Sequence, residues 1–388
     1  MSAPTIPRRL PRHLPRPIRR IAEALTSPHS LDDFTSAFNP RWTGSLTGTI
    51  TSISPLTPNA AQITISVPRS WPGHHAGQYV SVGVEIDGRR QQRTYSITGP
   101  SSRPGAGTIT LGVQRVEGGL VSNHLIDAAR PSTLVHLGTP TGEFVLPDRG
   151  SPADESNTTP LLLLGAGSGM TPIRGIIAEL EVRHDRGEAV PDVVALSFAP
   201  DASSRMFHHD LVAAAQHPWL RVEFVDTRSG GAASATTRLS PALLDEHCAD
   251  WSQRRVYACG PEGFLDAATD AFAARGIVGD ALDEQLAIER FTRVLPPRDG
   301  HAETASVVVE LADSATRLEL RTDTPLLDSI EAAGQLAPSG CRNGICHTCS
   351  TEVIDGCALN LRDGRIVEAG QHVQLCISAP LTDLTLAL

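Results

Sequence analysis

Residues 338–349 read PSGCRNGICHTC. Cys341, Cys346 and Cys349 stand at C-x4-C-x2-C spacing, and Cys376 follows after 26 intervening residues. This is the spacing of a plant-type [2Fe–2S] loop, whose cluster needs four thiolates. The loop can wrap one side of such a cluster while a distant strand brings the fourth sulfur. Gly340 and Gly344 allow a tight turn with N–H groups aimed inward, because glycine accepts positive φ without steric cost. Such donors stabilise a negative cluster and help set its potential. A structural zinc site uses two paired knuckles, and here the second half offers Cys376 alone. Seven cysteines in 388 residues is an odd number and too few for a disulfide framework. Cys248 and Cys357 fall outside the ligand spacing and read as ordinary thiols. A cluster of this kind moves one electron at a time, so the rest of the chain must supply electrons.

A chain of 388 residues is expected to form two to four domains. Its 40% hydrophobic and 20% charged content are those of a globular protein. No apolar run reaches about 18 residues, so no membrane-spanning helix is expected. The N-terminal stretch is broken by prolines and arginines and has no apolar signal region. A cytoplasmic location with reduced thiols is the expectation. The net charge of −10 argues against nucleic acid as a partner. All 33 basic residues are arginine, which points to coding bias more than to function. The charge is uneven: residues 1–20 hold six arginines and no acid, leaving about −16 on the rest (−10 less the arm's +6).

In chain order, 1–42 is an arginine-rich extension kept extended in its first part by prolines. It reads either as a solvated arm or as a segment attracted to an anionic membrane surface or an acidic partner. Residues 43–150 show six strand-like runs separated by Pro/Gly turns, the pattern of a small antiparallel β-barrel. One helical stretch interrupts them, with Ser122 as its expected cap. From 156 to 292 the period changes. LLLLGAG, VVALSFAP, RVEFVDT and RRVYACG alternate with helical runs, which implies a parallel sheet covered on both faces. Residues 293–304 read as a linker. The last unit, 305–388, should be α+β: a hairpin, a helix, the cysteine loop and two more strands.

Three further motifs carry chemistry. Arg93-Thr94-Tyr95-Ser96 offers a bidentate cation for a phosphate, a ring to lie against a flat aromatic group and a hydroxyl for its edge. Gly118-Gly119-Leu120-Val121-Ser122-Asn123 opens a helix whose free N–H groups suit a pyrophosphate. Gly165, Gly167 and Gly169, then Thr171 and Pro172, follow a buried strand and open a helix. There a dinucleotide phosphate can approach closely. Cys259-Gly260-Pro261-Glu262 ends a later strand, so Cys259 should point into the same cleft. Past VVALSFAP stands Asp201, the kind of acid that binds a ribose 2′-hydroxyl. Ser203, Ser204 and Arg205 could instead hold the 2′-phosphate of NADPH.

In this order and spacing, Arg93–Ser96, Gly165–Ile173 and Cys259–Glu262 resemble the ferredoxin–NADP reductase superfamily, here with a C-terminal [2Fe–2S] domain. The stretches WPGHHAGQYVSVGVEIDG and SGCRNGICHTC, with the arginine-rich leader, are similar to actinobacterial reductases that feed fatty-acid desaturases. The resemblance implies a β-barrel holding FAD, an α/β sheet binding NAD(P)H and a β-grasp ferredoxin unit. It implies that Val113, Gln114, Leu120, Val121 and Ser122 help hold FAD, and that Cys259 lies near the nicotinamide. Glu289 and Phe291, in ERF, are implied to lie by the flavin.

Nicotinamides give two electrons as hydride and [2Fe–2S] clusters take one, so a flavin must stand between them. The expected partner is a protein acceptor: a membrane desaturase, an alkane hydroxylase or another oxygenase. Two alternatives stay open at this point. One is a phthalate-dioxygenase-type reductase using FMN and NADH. The other is a redox-sensing subunit that binds flavin and cluster but turns over no nucleotide.

Overall fold

The computed structural model describes residues 46–388 apart from 87, 106, 148–158, 229–237, 292–304, 341, 343, 345–347 and 363. The arginine arm and the 293–304 linker therefore lie outside the described residues, as do Cys341 and Cys346.

The first unit is built from β1 (Leu46–Thr57), β2 (Ala60–Ser66), β3 (Tyr79–Ile86), β4 (Arg89–Ser96), β5 (Thr108–Gln114) and β6 (Leu134–Leu137). The strands pair antiparallel in the order β4-β3-β6-β1-β2-β5. In β2, Ile63 and Ile65 are buried while Gln62 and Thr64 are only partly covered, the period-2 alternation of a one-faced sheet. The two end strands meet through an Ile97↔Leu111 bridge and Thr98 N–H donating to Thr110 O at 2.9 Å, which closes the barrel. Between β5 and β6 lie a short helix α1 (Leu120–Asn123) and a π turn, His124–Ala128. Ser122 is not its cap, as the sequence suggested. Gly119 holds that position in extended conformation and Ser122 lies inside the turn, nearly fully buried.

The second unit alternates β7 (Leu161–Ala166), α2 (Met170–Asp185), β8 (Val193–Ala199), α3 (His208–Ala214), β9 (Leu220–Asp226), α4 (Pro241–His247), β10 (Arg255–Cys259), α5 (Glu262–Ala273), α6 (Asp280–Gln285) and β11 (Leu286–Glu289). Its five strands are parallel, in the order β11-β10-β7-β8-β9. All seven residues of β8 are buried, because helices cover both faces. Strand β11 escaped the sequence reading: four residues, LAIE, follow α6 with no turn residue between them.

The third unit contains β12 (Ser306–Leu311), β13 (Thr316–Arg321), α7 (Leu326–Ala332), β14 (Ser350–Asp355), β15 (Cys357–Asn360), β16 (Ile366–Glu368), β17 (His372–Gln374), β18 (Ser378–Pro380) and β19 (Leu384–Leu386). Strand β12 pairs antiparallel with β13 and parallel with β19, so the sheet is mixed. Six strands follow the cysteine loop where two were expected. Most are three or four residues long, too short for alternation to register. The three expected architectures are otherwise present: antiparallel barrel, parallel α/β sheet and a small α+β unit.

The barrel and the parallel sheet share one apolar cluster. Ala60 of β2 and Phe144 pack with Leu163, Met170, Phe207 and Tyr257. Tyr257 donates its hydroxyl to Val145 O at 3.0 Å, and its ring meets Phe144 edge-on. Helix α2 lies directly on the barrel. A Cβ on Gly175 would stand 2.6 Å from Ile97 O and 3.2 Å from Gly77 N. One turn further on, Glu179 accepts from Ser101 N–H at 3.0 Å and from Arg183 Nε at 2.8 Å. Gly175→Ala should therefore push α2 off the barrel and destabilise the protein by about 1–3 kcal/mol, the usual range for overpacking. Gly263→Ala, in α5, meets nothing within 4 Å. Chemical denaturation of both variants should show a large shift for the first and little or none for the second.

Candidate active site at the barrel–sheet seam

The glycine loop begins where β7 ends. A 3-10 turn, Gly167–Gly169, leads into α2, with Gly167 at φ +58°. The loop's glycines do different things. A Cβ on Gly169 would lie 2.0 Å from Cys259 O, and one on Gly165 would lie 2.1 Å from Met170 Sδ. A Cβ on Gly260 would meet Phe264 at 2.7 Å and Ala166 at 2.9 Å. Those three are glycine because protein packs against protein there. Gly167 is different: the nearest atom to its would-be Cβ is Gln114 Oε1 at 4.0 Å. It is the loop residue whose Cα faces open space, with the barrel's Gln114 beyond it. Thr171 closes the loop by donating to Ser168 O at 2.8 Å, and both Thr171 and Pro172 are buried behind it. Pro261, exposed, caps α5 on the other side of the cleft.

Gly165, Cys259 and Glu289 stand in register on the neighbouring strands β7, β10 and β11. All three are therefore at carboxyl ends of parallel strands, where ligands of such sheets bind. Cys259 is fully buried. Glu289 is half-buried, and its Oε2 is enclosed with no hydrogen-bond partner among the described residues. Next to it, Arg290 pairs with Glu262 at 2.6 Å. Phe291 is 37% exposed.

On the barrel side, Arg93–Ser96 occupy the second half of β4. Tyr95 Oη and Ser96 Oγ are both enclosed without a partner among the described residues. Buried hydroxyls in native proteins are normally hydrogen-bonded. Unmet hydroxyls on these successive residues of β4 fit a ligand that would supply their partners. Val113 is buried at the end of β5, beside Gln114. Gly112, just before, sits against Thr171 Cγ2 and Phe207 Cζ, so β5 abuts the start of α2. In α1, Val121 and Ser122 are buried and Leu120 is 55% exposed. A Cβ on Gly119 would clash with Ser122 Oγ at 2.7 Å.

The ribose end corrects one expectation. Arg205 does not reach the cleft. Its guanidinium is buried, donates to Ser197 O, pairs with Asp226 and lies 4.8 Å from the centre of the Phe224 ring. Its donors are satisfied by the sheet, so it is a structural cation. Ser203 and Ser204 donate to Asp201 at 2.6 and 2.9 Å, holding that carboxyl below its ordinary range. Arg228, missed by the sequence reading, is exposed two residues beyond β9, and its N–H donates to Pro200 O at 3.1 Å. The rule that ligands bind past strand ends would have pointed to it.

In the third unit, Cys349 and Cys376 are both buried, and Leu375 N–H donates to Cys349 O at 3.2 Å. A Cβ on Gly344 would meet Ile377 Cδ1 at 2.6 Å, and Gln374 Nε2 donates to Gly344 O at 3.0 Å. Arg342, at φ +60°, ties the loop to α7 through Glu331 at 2.5 Å. The turn carrying Cys376 thus lies against the cysteine loop. Buried thiols brought together from two segments fit a thiolate-ligated cluster.

Residues 48–146 match the oxidoreductase FAD-binding domain, 163–270 the oxidoreductase NAD-binding domain and 309–381 the 2Fe-2S iron-sulfur cluster binding domain. The chain is 34% identical over 375 residues to the NADPH oxidoreductase of Mycobacterium tuberculosis, covering 95% of this chain and 91% of that one. It belongs to the FAD- and NAD(P)-dependent oxidoreductases with a C-terminal [2Fe–2S] domain. It is also 29% identical over 309 residues to the ferredoxin reductase component of 3-ketosteroid-9-alpha-monooxygenase from Mycolicibacterium smegmatis, covering 76% of this chain and 78% of that one. Among solved structures, phthalate dioxygenase reductase shares the fold, with a TM-score of 0.57 at 22% identity over 90% of this chain and 99% of that one. The reductase family match also favours FAD over FMN and a catalytic protein over a mere sensor. No helix among the described residues is long and apolar enough to cross a membrane.

The reductase's seam is electrostatically unusual. Burial pushes the Glu289 carboxyl up to about 8 from an ordinary value of 4.5. Burial, and then Glu289 itself, raises the Cys259 thiol. Burial also raises the Tyr95 hydroxyl. At neutral pH these three groups are protonated and can donate hydrogen bonds without bringing charge to the site. Because the folded value of Glu289 is raised, its contribution to stability is complete below about 4.5 and is lost as pH rises through about 8. Glu289→Gln, neutral throughout, should remove that loss. Urea unfolding of both proteins from about pH 6 to about pH 9 should show the wild type falling relative to the variant.

Proposed function

We propose that this NAD(P)H–FAD–[2Fe–2S] reductase delivers electrons to a protein of the oxygenase class, and that NADPH is its donor. The observations that carry the site are the in-register set Gly165, Cys259 and Glu289 and, on the barrel segment that packs against helix α2, the unpartnered Tyr95 and Ser96. A nicotinamide at those strand ends would lie against a flavin seated along β4. A flavin held there would supply the conversion of a two-electron hydride donor into one-electron steps.

The chain's own residues do the rest. Arg93 offers a bidentate cation to a flavin phosphate. Thr94 and Tyr95 line the ring, and Ser96 meets its edge. Val113, Gln114, Gly119, Leu120, Val121 and Ser122 complete the barrel side. Gly167 leaves room for the dinucleotide's phosphates, while Gly165, Gly169, Thr171, Pro172, Gly260 and Pro261 hold the two loops together. Cys259 and the protonated Glu289 exclude water around the reacting carbon, and Phe291 shields the outer side. Cys341, Cys346, Cys349 and Cys376 are the cluster's ligands. The domain limits are read as 43–150, 156–292 and 305–388.

The oxygenase-class acceptor is supported by the relative that serves a monooxygenase. The finer reading, a membrane fatty-acyl desaturase or alkane hydroxylase, rests on the motif resemblance and on the arginine arm, whose charge suits the anionic inner face of a membrane. Cys376→Ser should bleach the cluster's visible spectrum and abolish turnover of an added desaturase or hydroxylase membrane fraction, while NADPH–ferricyanide activity through the flavin persists. Cys357→Ser, whose Sγ lies 3.6 Å from Thr382 Oγ1, should change neither. A wild-type protein that reduces no acceptor of either kind would sink the proposal.

NADPH is supported by the Mycobacterium tuberculosis relative, which is an NADPH oxidoreductase. Arg228 is proposed to meet the 2′-phosphate in place of Arg205. Arg228→Ala should raise the NADPH KM about tenfold, on the scale of a charge-assisted hydrogen bond, with the NADH KM unchanged. Arg205→Ala should instead lower stability, because it leaves Asp226 and the Ser197 carbonyl without their partner. Equal KM changes for both nucleotides in Arg228→Ala would remove it from the site.

A further inference from the structure

The cysteine loop touches the barrel at one described place. Gln92 Nε2 donates to Thr348 Oγ1 at 2.8 Å. Beside it, Arg93 Nη1 donates to Gln92 O at 2.7 Å and reaches Gly340 O at 3.5 Å. Both contacts come from β4, an end strand of the sheet. In sequence, Gln92 immediately precedes Arg93 to Ser96, and Thr348 immediately precedes Cys349. The Gln92–Thr348 hydrogen bond therefore joins the flavin-side segment to the cluster loop, one residue away from Arg93 on one side and from Cys349 on the other.

The two segments also carry opposite charge overall. Strand β4 carries Arg89, Arg90 and Arg93 and no acid, whereas residues 305–388 hold five arginines against eleven acids. Complementary charge across a small contact fixes orientation more than it adds affinity. Electron transfer falls steeply with distance, so a small change of seat has a large effect on rate.

We propose that Gln92 and Thr348 are positioning residues for electron transfer: their hydrogen bond seats the cluster loop on β4 and sets the rate at which the cluster is reduced. The proposal rests on the FAD–[2Fe–2S] reading. One electron crosses the seat at a time, taken from the pair that NAD(P)H delivers. No bond forms or breaks at either residue, and no proton moves between them.

The test uses the full-length holoenzyme with Gln92→Leu, Thr348→Val and the double variant. Rapid mixing with NADPH separates flavin reduction from the cluster reduction that follows. Flavin reduction should be unchanged. Cluster reduction should slow about fivefold in each single variant, the scale of one hydrogen bond, and no further in the double. Thr348→Ser, which keeps the hydroxyl, should restore the rate. Amide exchange of Arg89–Ser96 should rise in the slow variants, and in the wild type at high salt, where the charge complementarity is screened. The cluster's electron paramagnetic resonance spectrum should stay as in the wild type. Unchanged cluster reduction and unchanged β4 exchange in Gln92→Leu would overturn the proposal. So would a double variant whose loss is the product of the two single losses. Failure of flavin reduction in the wild type would strike the reductase reading instead, and the exchange result would still decide the seat.

Discussion

Helix α2 approaches the barrel so closely that only a glycine fits at position 175, with the carbonyl of Ile97 on the other side. That approach sets the geometry of the whole site. Ile97 directly follows Ser96, and Thr171, one turn before Gly175, abuts Gly112 of β5. The start of α2 is also the end of the glycine loop. The residues proposed for flavin and those proposed for nucleotide are thus held on two sides of one packed contact. The Glu179 carboxylate, bonded to Ser101 N–H and Arg183, clamps the same seam from further along the helix. Side chains in such a seam are close-packed, so a shift of either unit is resisted by every neighbour at once.

The polar groups of the seam fall into two kinds. Glu179 with Arg183, and Arg205 with Asp226, are buried or partly buried and have partners. Removing one member of such a pair leaves an uncompensated charge, which is costly. These pairs read as structure. Glu289 Oε2, Tyr95 Oη and Ser96 Oγ are enclosed and have no partner among the described residues. A fold gains nothing in stability from an unmade hydrogen bond, and strongly perturbed titratable groups such as Glu289 gather at functional sites. The distinction explains why Arg205, attractive as a phosphate ligand by composition, belongs to the sheet. Its neighbour in space, Asp226, is 21 residues away in sequence.

Local rules reached a long way into this chain. The C-x4-C-x2-C spacing, the period-2 runs of the barrel and the change to buried strands alternating with helices are short-range patterns. Each states its architecture without knowledge of its neighbours. Strand β11 and the short strands after the cysteine loop have no such pattern. At three or four residues they are defined by the partners that pair with them. Ser122 looked like a cap because serine before an apolar run usually is one, but the chain had already begun to turn at Gly119.

The sequence by itself determined the set of three units, the identity of the cofactor motifs and the candidate cluster ligands, because glycine conformations, thiolate counts and hydrophobic periods are properties of adjacent residues. The tertiary structure decided which of those motifs share a site. It aligned Gly165, Cys259 and Glu289 through strand register, gave Gly169 and Gly260 a packing role, turned Arg205 inward and brought Gln92 to Thr348. Those outcomes depend on burial and on contacts between segments up to 256 residues apart, and both are settled only when the whole chain has packed.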